Sequence, residues 1–117
     1  MRASLRDDLK TALKARNNVA VTALRSALAA IDNAEAVPGD RPLSGGGEHV
    51  AGAAVGLGAA EAQRRNLTEA DVRSIVENEV RERSVAAEEY EQLGRDDLAE
   101  RLRAEAEVLS RHLKPAP

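Results

Sequence analysis

Apolar residues recur at three- and four-residue spacing in four separate stretches, and no stretch alternates apolar and polar residues with period two. Leu5, Leu9, Ala12 and Leu13 fall on one helical face. Val21, Leu24, Ala27, Leu28, Ile31 and Ala34 fall on a second. Val72, Val76, Ala86, Ala87 and Tyr90 mark a third, and Leu98, Leu102, Ala106, Leu109 and Leu113 a fourth.

Local signals set the expected boundaries. Ser4 and Asp7 have capping-box spacing, and Asp7 and Asp8 sit where a helix dipole favours negative charge, so Ser4 is expected to open the first helix. Asn17-Asn18 predicts a break, because either Asn can adopt a left-handed or capping conformation. The second helix is expected from about Val19 to Glu35, stopped by Pro38-Gly39. Thr68 and Asp71 repeat the capping-box spacing, and a helix from there to Leu93 would span roughly 37 Å. Gly94 is placed as its C′ residue. A last helix is expected from Asp97 to Leu113, with Pro115 blocking extension.

Residues 36–67 differ from the rest. They hold 7 of the 8 glycines, with Pro38 and Pro42, and read as a long flexible Gly-rich loop, with one or two helical turns at Ala59–Arg65. The expected architecture is therefore all-α and multihelical. A single domain over 1–117 holds four main helices as two antiparallel helical hairpins, and the Gly-rich loop joins the second helix to the third.

Composition narrows the chemistry. The chain has 117 residues; 23 are Ala, and there is no Phe, Trp or Cys. That excludes a disulfide scaffold, a cysteine nucleophile, a thiolate metal site and an aromatic platform for stacking unpaired bases. Net charge is −3, but unevenly spread. The first 25 residues carry six cations and two acids, whereas residues 61–111 carry 9 Arg against 14 acids. Five acid-first pairs four residues apart support helix: Glu69–Arg73, Glu77–Arg81, Glu79–Arg83, Asp97–Arg101 and Glu107–Arg111. No apolar run is long enough to span a bilayer, so no membrane association is expected.

Few residues suggest catalysis. His49 and His112 have no metal-ligand spacing, so no metal site is expected, and His112 reads as a dipole partner near a helix C-terminus. Two histidines so placed give no Ser-His-Asp arrangement. Gly56-Leu57-Gly58-Ala59-Ala60-Glu61 starts like a dinucleotide fingerprint, but it ends in Glu and follows no strand. Glu79 and Arg83 fall inside the third apolar stripe. Charges there need partners, so they read as a structural ion pair or as an open face that docks a partner. Arg2, Arg6, Lys10 and Lys14 repeat every fourth residue. With Arg16 and Arg25 they form the best candidate ligand surface, a line of cations able to follow a phosphate backbone.

Several segments, in order, resemble the GatB/YqeY family. They are Asp8-Leu9-Lys10 with Lys14-Ala15-Arg16, Leu24-Arg25, and Leu28 through Glu35. Leu67 through Val72, Glu79, Arg83, Glu89-Tyr90, Gly94-Arg95, Asp97-Leu98-Ala99 and Glu105 through Leu113 complete the set. The resemblance implies a multihelical fold with a larger first subdomain and a smaller three-helix one. This chain is similar to the first alone, with the smaller C-terminal subdomain absent and an extended 36–67 loop.

The family shares its name with the tail of the B subunit of glutamine-dependent aminoacyl-tRNA amidotransferase, which helps hold tRNA. Free-standing members carry the label of carbon–nitrogen ligase activity with glutamine as amido-N-donor. The resemblance thus implies a non-catalytic accessory module engaging tRNA or a tRNA-handling enzyme. Lys10, Lys14, Arg16 and Arg25 would meet the partner. No glutaminase nucleophile system or ATP site is visible, and no cofactor is expected. The alternative is a helical protein–protein interaction domain with no RNA role. A homodimer and a cytoplasmic location complete the expectations.

Overall fold

The computed structural model describes residues 1–36 and 66–114. Among them are four helices: α1 (Arg2–Ala15), α2 (Asn18–Ala36), α3 (Glu69–Gln92) and α4 (Asp96–Ser110). They pack as two antiparallel hairpins, α1 on α2 and α3 on α4, with α2 seated against both helices of the second pair. The loop, its helical turn, its stop at Pro38-Gly39, His49, the Gly56 motif and Pro115 lie outside the described residues.

The third helix starts as its sequence dictates. Thr68 Oγ1 accepts from the Asp71 N–H and the Asp71 carboxylate accepts from the Thr68 N–H, each at 3.0 Å. It ends in a Schellman turn. Gly94 takes φ 78°, and the Arg95 N–H reaches back to the Tyr90 carbonyl at 2.8 Å.

The first helix departs from expectation at its start. It begins at Arg2 with Met1 at the cap position, and Ser4 lies inside it. The Ser4 hydroxyl bonds back to the Met1 carbonyl at 2.8 Å, so it cannot cap a helix that starts beyond it. At the other end the left-handed residue is Arg16 (φ 58°), not an Asn. The Asn17 N–H closes this turn on the Ala12 carbonyl at 2.9 Å. Asn17 takes the capping role expected at the break, its side-chain oxygen accepting from the Ala20 N–H at 3.1 Å. The last helix stops at Ser110 rather than Leu113, and residues 111–113 continue as a turn.

Leu5, Leu24, Ile31, Val76 and Leu109 are the largest fully buried side chains, and each such burial contributes about 1.5–3 kcal/mol. Ala20, Ala23 and Ala27 complete the buried face of α2. Their small side chains let its neighbours approach closely, which offsets the lack of large apolar residues. Among the described residues no helix is long and apolar enough to cross a membrane.

Candidate functional site

Glu79 and Arg83 lie at the seam between the two hairpins, within a chain of polar contacts. Ser26 of α2 donates to Glu79 at 2.7 Å. Arg83 donates to Glu79 at 2.9 Å and to Glu105 of α4 at 3.0 Å. Arg101 donates to Glu105 at 3.3 Å and touches Thr22 of α2 at 3.5 Å. The side chains of Arg83, Glu79 and Glu105 are 11%, 13% and 7% exposed. Two carboxylates and the Arg83 guanidinium are thus almost withdrawn from water, with the half-exposed Arg101 completing the balance. Every partner is intramolecular, so the chain ties α2, α3 and α4 together.

Of the five acid-first pairs that spacing predicted, two form. Glu79–Arg83 and Glu107–Arg111 pair as expected, the latter at 3.8 Å. Arg101 turns instead to Glu105, Arg73 to Glu77, and Arg81 to Asn78. Glu105 is the buried charge that periodicity missed. Its signals were a place beside the fourth apolar stripe and Arg101 four residues earlier.

His112 is also placed differently from its expected dipole role. It lies beyond the end of α4, where its Nε2 sits 2.8 Å from the Asp8 carboxylate and its Nδ1 3.1 Å from the Ser4 hydroxyl. Ser4 and Asp8 are one turn apart on α1, so the ring clasps that helix through both nitrogens. In the neutral ring Nε2–H serves Asp8, and Ser4 donates to Nδ1. In the imidazolium both nitrogens donate, and the Ser4 proton turns to the Met1 carbonyl. Either state satisfies all the groups. Ser4, His112 and Asp8 thus form a Ser-His-Asp arrangement that two isolated histidines did not predict, because it is assembled between α1 and the segment after α4.

A cavity of about 280 Å³ lies elsewhere, lined by Arg2, Glu35, Asn66, Leu67, Glu69 and Val72. None of the clasp residues lines it. Arg2 meets Glu35 there at 2.8 Å, which removes it from the row of free cations. Among the described residues no group of three or more His, Asp or Glu side chains could hold a metal ion.

The remaining cations behave differently. Arg6, Lys10, Lys14, Arg16 and Arg25 are all exposed, and none pairs with an acid among the described residues. At 100° per residue, Arg6, Lys10 and Lys14 lie roughly 100° to 180° round α1 from the buried Leu5 and Ala12. They project from the bundle. Leu13, 46% exposed, lies beside them. Arg16 marks the end of the row. A non-glycine residue at positive φ costs about 1 kcal/mol that glycine avoids, and here its exposed guanidinium makes no ion pair in return.

The fold and this surface define a four-helix domain, braced inside by charge, that presents a cationic outer face. The chain belongs to the Yqey-like family: the profile described as Yqey-like protein matches residues 50–116. It is also similar to altered inheritance of mitochondria protein 41, mitochondrial, of Clavispora lusitaniae, at 30% identity over 114 residues. The match covers 97% of this chain and 52% of that protein, so the chain spans about half the length of the relative. No solved structure matches. The expectation of a cytoplasmic location is corrected by this comparison, because the relative is named as mitochondrial. Net charge and helical patterning say nothing about which compartment a hydrophilic chain occupies.

Proposed function

We propose that this chain is a non-catalytic helical protein-interaction module, docking an acidic protein surface through the outer face of its first hairpin. The observation that carries the reading is the contrast between two sets of cations. Arg83 and Arg101 are engaged across the seam, whereas Lys10, Lys14 and Arg16 stand exposed close in sequence to Leu13, with Arg25 exposed on α2, and none of the four pairs with an acid among the described residues. An apolar anchor ringed by charge suits a protein interface with a polar rim. An acidic second half works against a long polyanion, which would meet repulsion beyond the first hairpin.

The test is capture on the immobilised full chain, with and without nuclease, comparing wild type with a Lys14→Glu/Arg25→Glu variant. A protein retained after nuclease and lost on charge reversal is the expected result. Capture indifferent to the reversal overturns the reading.

A second reading, tRNA association, is favoured by one observation, the four-residue repeat of the cations along α1. It predicts nuclease-sensitive capture. It also predicts tRNA affinity whose salt slope falls by about 0.7–0.9 for each cation neutralised.

A further inference from the structure

The two interhelix turns lie at the same end of the bundle. Thr22, five residues past the α1–α2 turn at Asn17, meets Arg101, which lies five residues into α4. Each turn is therefore about 7 Å along its helix from that shared contact. Farther from the turns lies the Arg2–Glu35 contact, and His112, past the far end of α4, reaches Asp8 midway along α1.

At the shared end the turns carry opposite charge around exposed leucines. The α1–α2 turn presents Leu13 with Lys10, Lys14 and Arg16. The α3–α4 turn presents Leu93, 74% exposed, among Glu88, Glu89, Asp96 and Glu100, none of which forms an ion pair with a described residue. Arg95 is bonded to Asp97 and Arg103 to Glu91, and the Arg103 charge also acts on Glu88 and Asp96. Leu93 has no internal role to account for it. The Schellman turn closes through Gly94 and Arg95, leaving the leucine side chain in water.

We infer that the partner this surface fits is a second copy of the chain. A twofold axis across the turn-bearing end sets the Leu13 turn of each copy on the Leu93 turn of the other. Both apolar anchors are then buried, and each exposed charge cluster meets one of opposite sign. Two complementary patches on one end of a protomer close into a dimer, whereas patches at opposite ends would propagate a filament. The inference rests on the reading of the cationic face as a protein-docking surface and names its occupant.

The full chain is followed by sedimentation over a wide concentration range at low and high salt. A dimer whose dissociation constant rises with salt is expected. Lys10→Glu/Lys14→Glu and, separately, Glu89→Lys/Glu100→Lys each weaken self-association by about tenfold or more, with unchanged circular dichroism. Mixing the two variants restores a dimer, because each copy then carries charges complementary to the other's. A monomer at every concentration overturns the inference, as does a dimer indifferent to both reversals or a mixture that fails to associate. Charge-dependent capture of another protein by a monomeric chain sinks the dimer and leaves the docking face intact. Loss of that capture as well sinks both.

Discussion

Replacing Arg83 by Met removes the cation from the centre of the seam. Three hydrogen bonds vanish: two to Glu79, at 2.9 Å to the carboxylate and 3.2 Å to the backbone carbonyl, and one to Glu105 at 3.0 Å. Both carboxylates stay where they are, 13% and 7% exposed. Ser26 still serves Glu79, and Arg101 still serves Glu105. Breaking a buried pair from one side costs about 3–5 kcal/mol, and those surviving partners set the expectation at the low end, about 3 kcal/mol. A domain of this size has a stability on the order of 5–10 kcal/mol, so the loss is a third or more of the whole. In urea, with a slope near 2 kcal/mol/M, the midpoint falls by about 1.5 M. Replacing Glu79 and Glu105 by Leu in the same background recovers most of the loss, because no unpaired charge is then left inside. A single variant less than about 0.5 kcal/mol below wild type would refute the reasoning, and so would a triple variant weaker than the single.

Three further outcomes follow from the same structure. Arg16→Gly relieves the left-handed turn and raises stability by about 1 kcal/mol, a rise of about 4 °C in the thermal midpoint, while reducing partner capture; an unchanged midpoint would show that Arg16 bears no strain. Thr68→Ala breaks the capping box of α3 and costs about 1 kcal/mol, read as a lowered urea midpoint and faster amide exchange in the first turn. The Arg103 guanidinium, bonded to Glu91 at 2.8 Å, holds that carboxyl below the usual carboxylate range through its hydrogen bond and its charge. The stability linked to this pair is present above the usual range and is lost as pH falls through the lowered value. Arg103→Gln therefore moves the Glu91 titration, followed by carboxyl carbon NMR, upward toward its ordinary position.

Much of the fold was legible because its signals are local. Periodicity located four helices, the Thr68–Asp71 spacing started α3, and Gly94 ended it with the φ that glycine tolerates. Each of these depends on residues within about one turn of each other, so tertiary packing had little to add. The same locality misled at Ser4. Its spacing to Asp7 suits a cap, but the helix starts two residues earlier, and the hydroxyl is drawn to His112, 108 residues away.

For the candidate surface, sequence located the cations but not which of them were free. Arg2 and Arg6 belong to one row, yet among the described residues only Arg2 of the two finds an acid, Glu35, 33 residues on. At the α1–α2 turn, either Asn was the chemically cheaper left-handed residue. Arg16 took that conformation because Asn17 was needed as the cap of α2. Arg83 could be paired with Glu79 by counting four residues, whereas Glu105 and Ser26 reach the same cluster from other helices. A three- or four-residue spacing fixes which side chains share a helix face. Which face meets which neighbour follows only from packing two hairpins together, and that packing chose the partners of the buried charges and left the outer cations with no acid among the described residues.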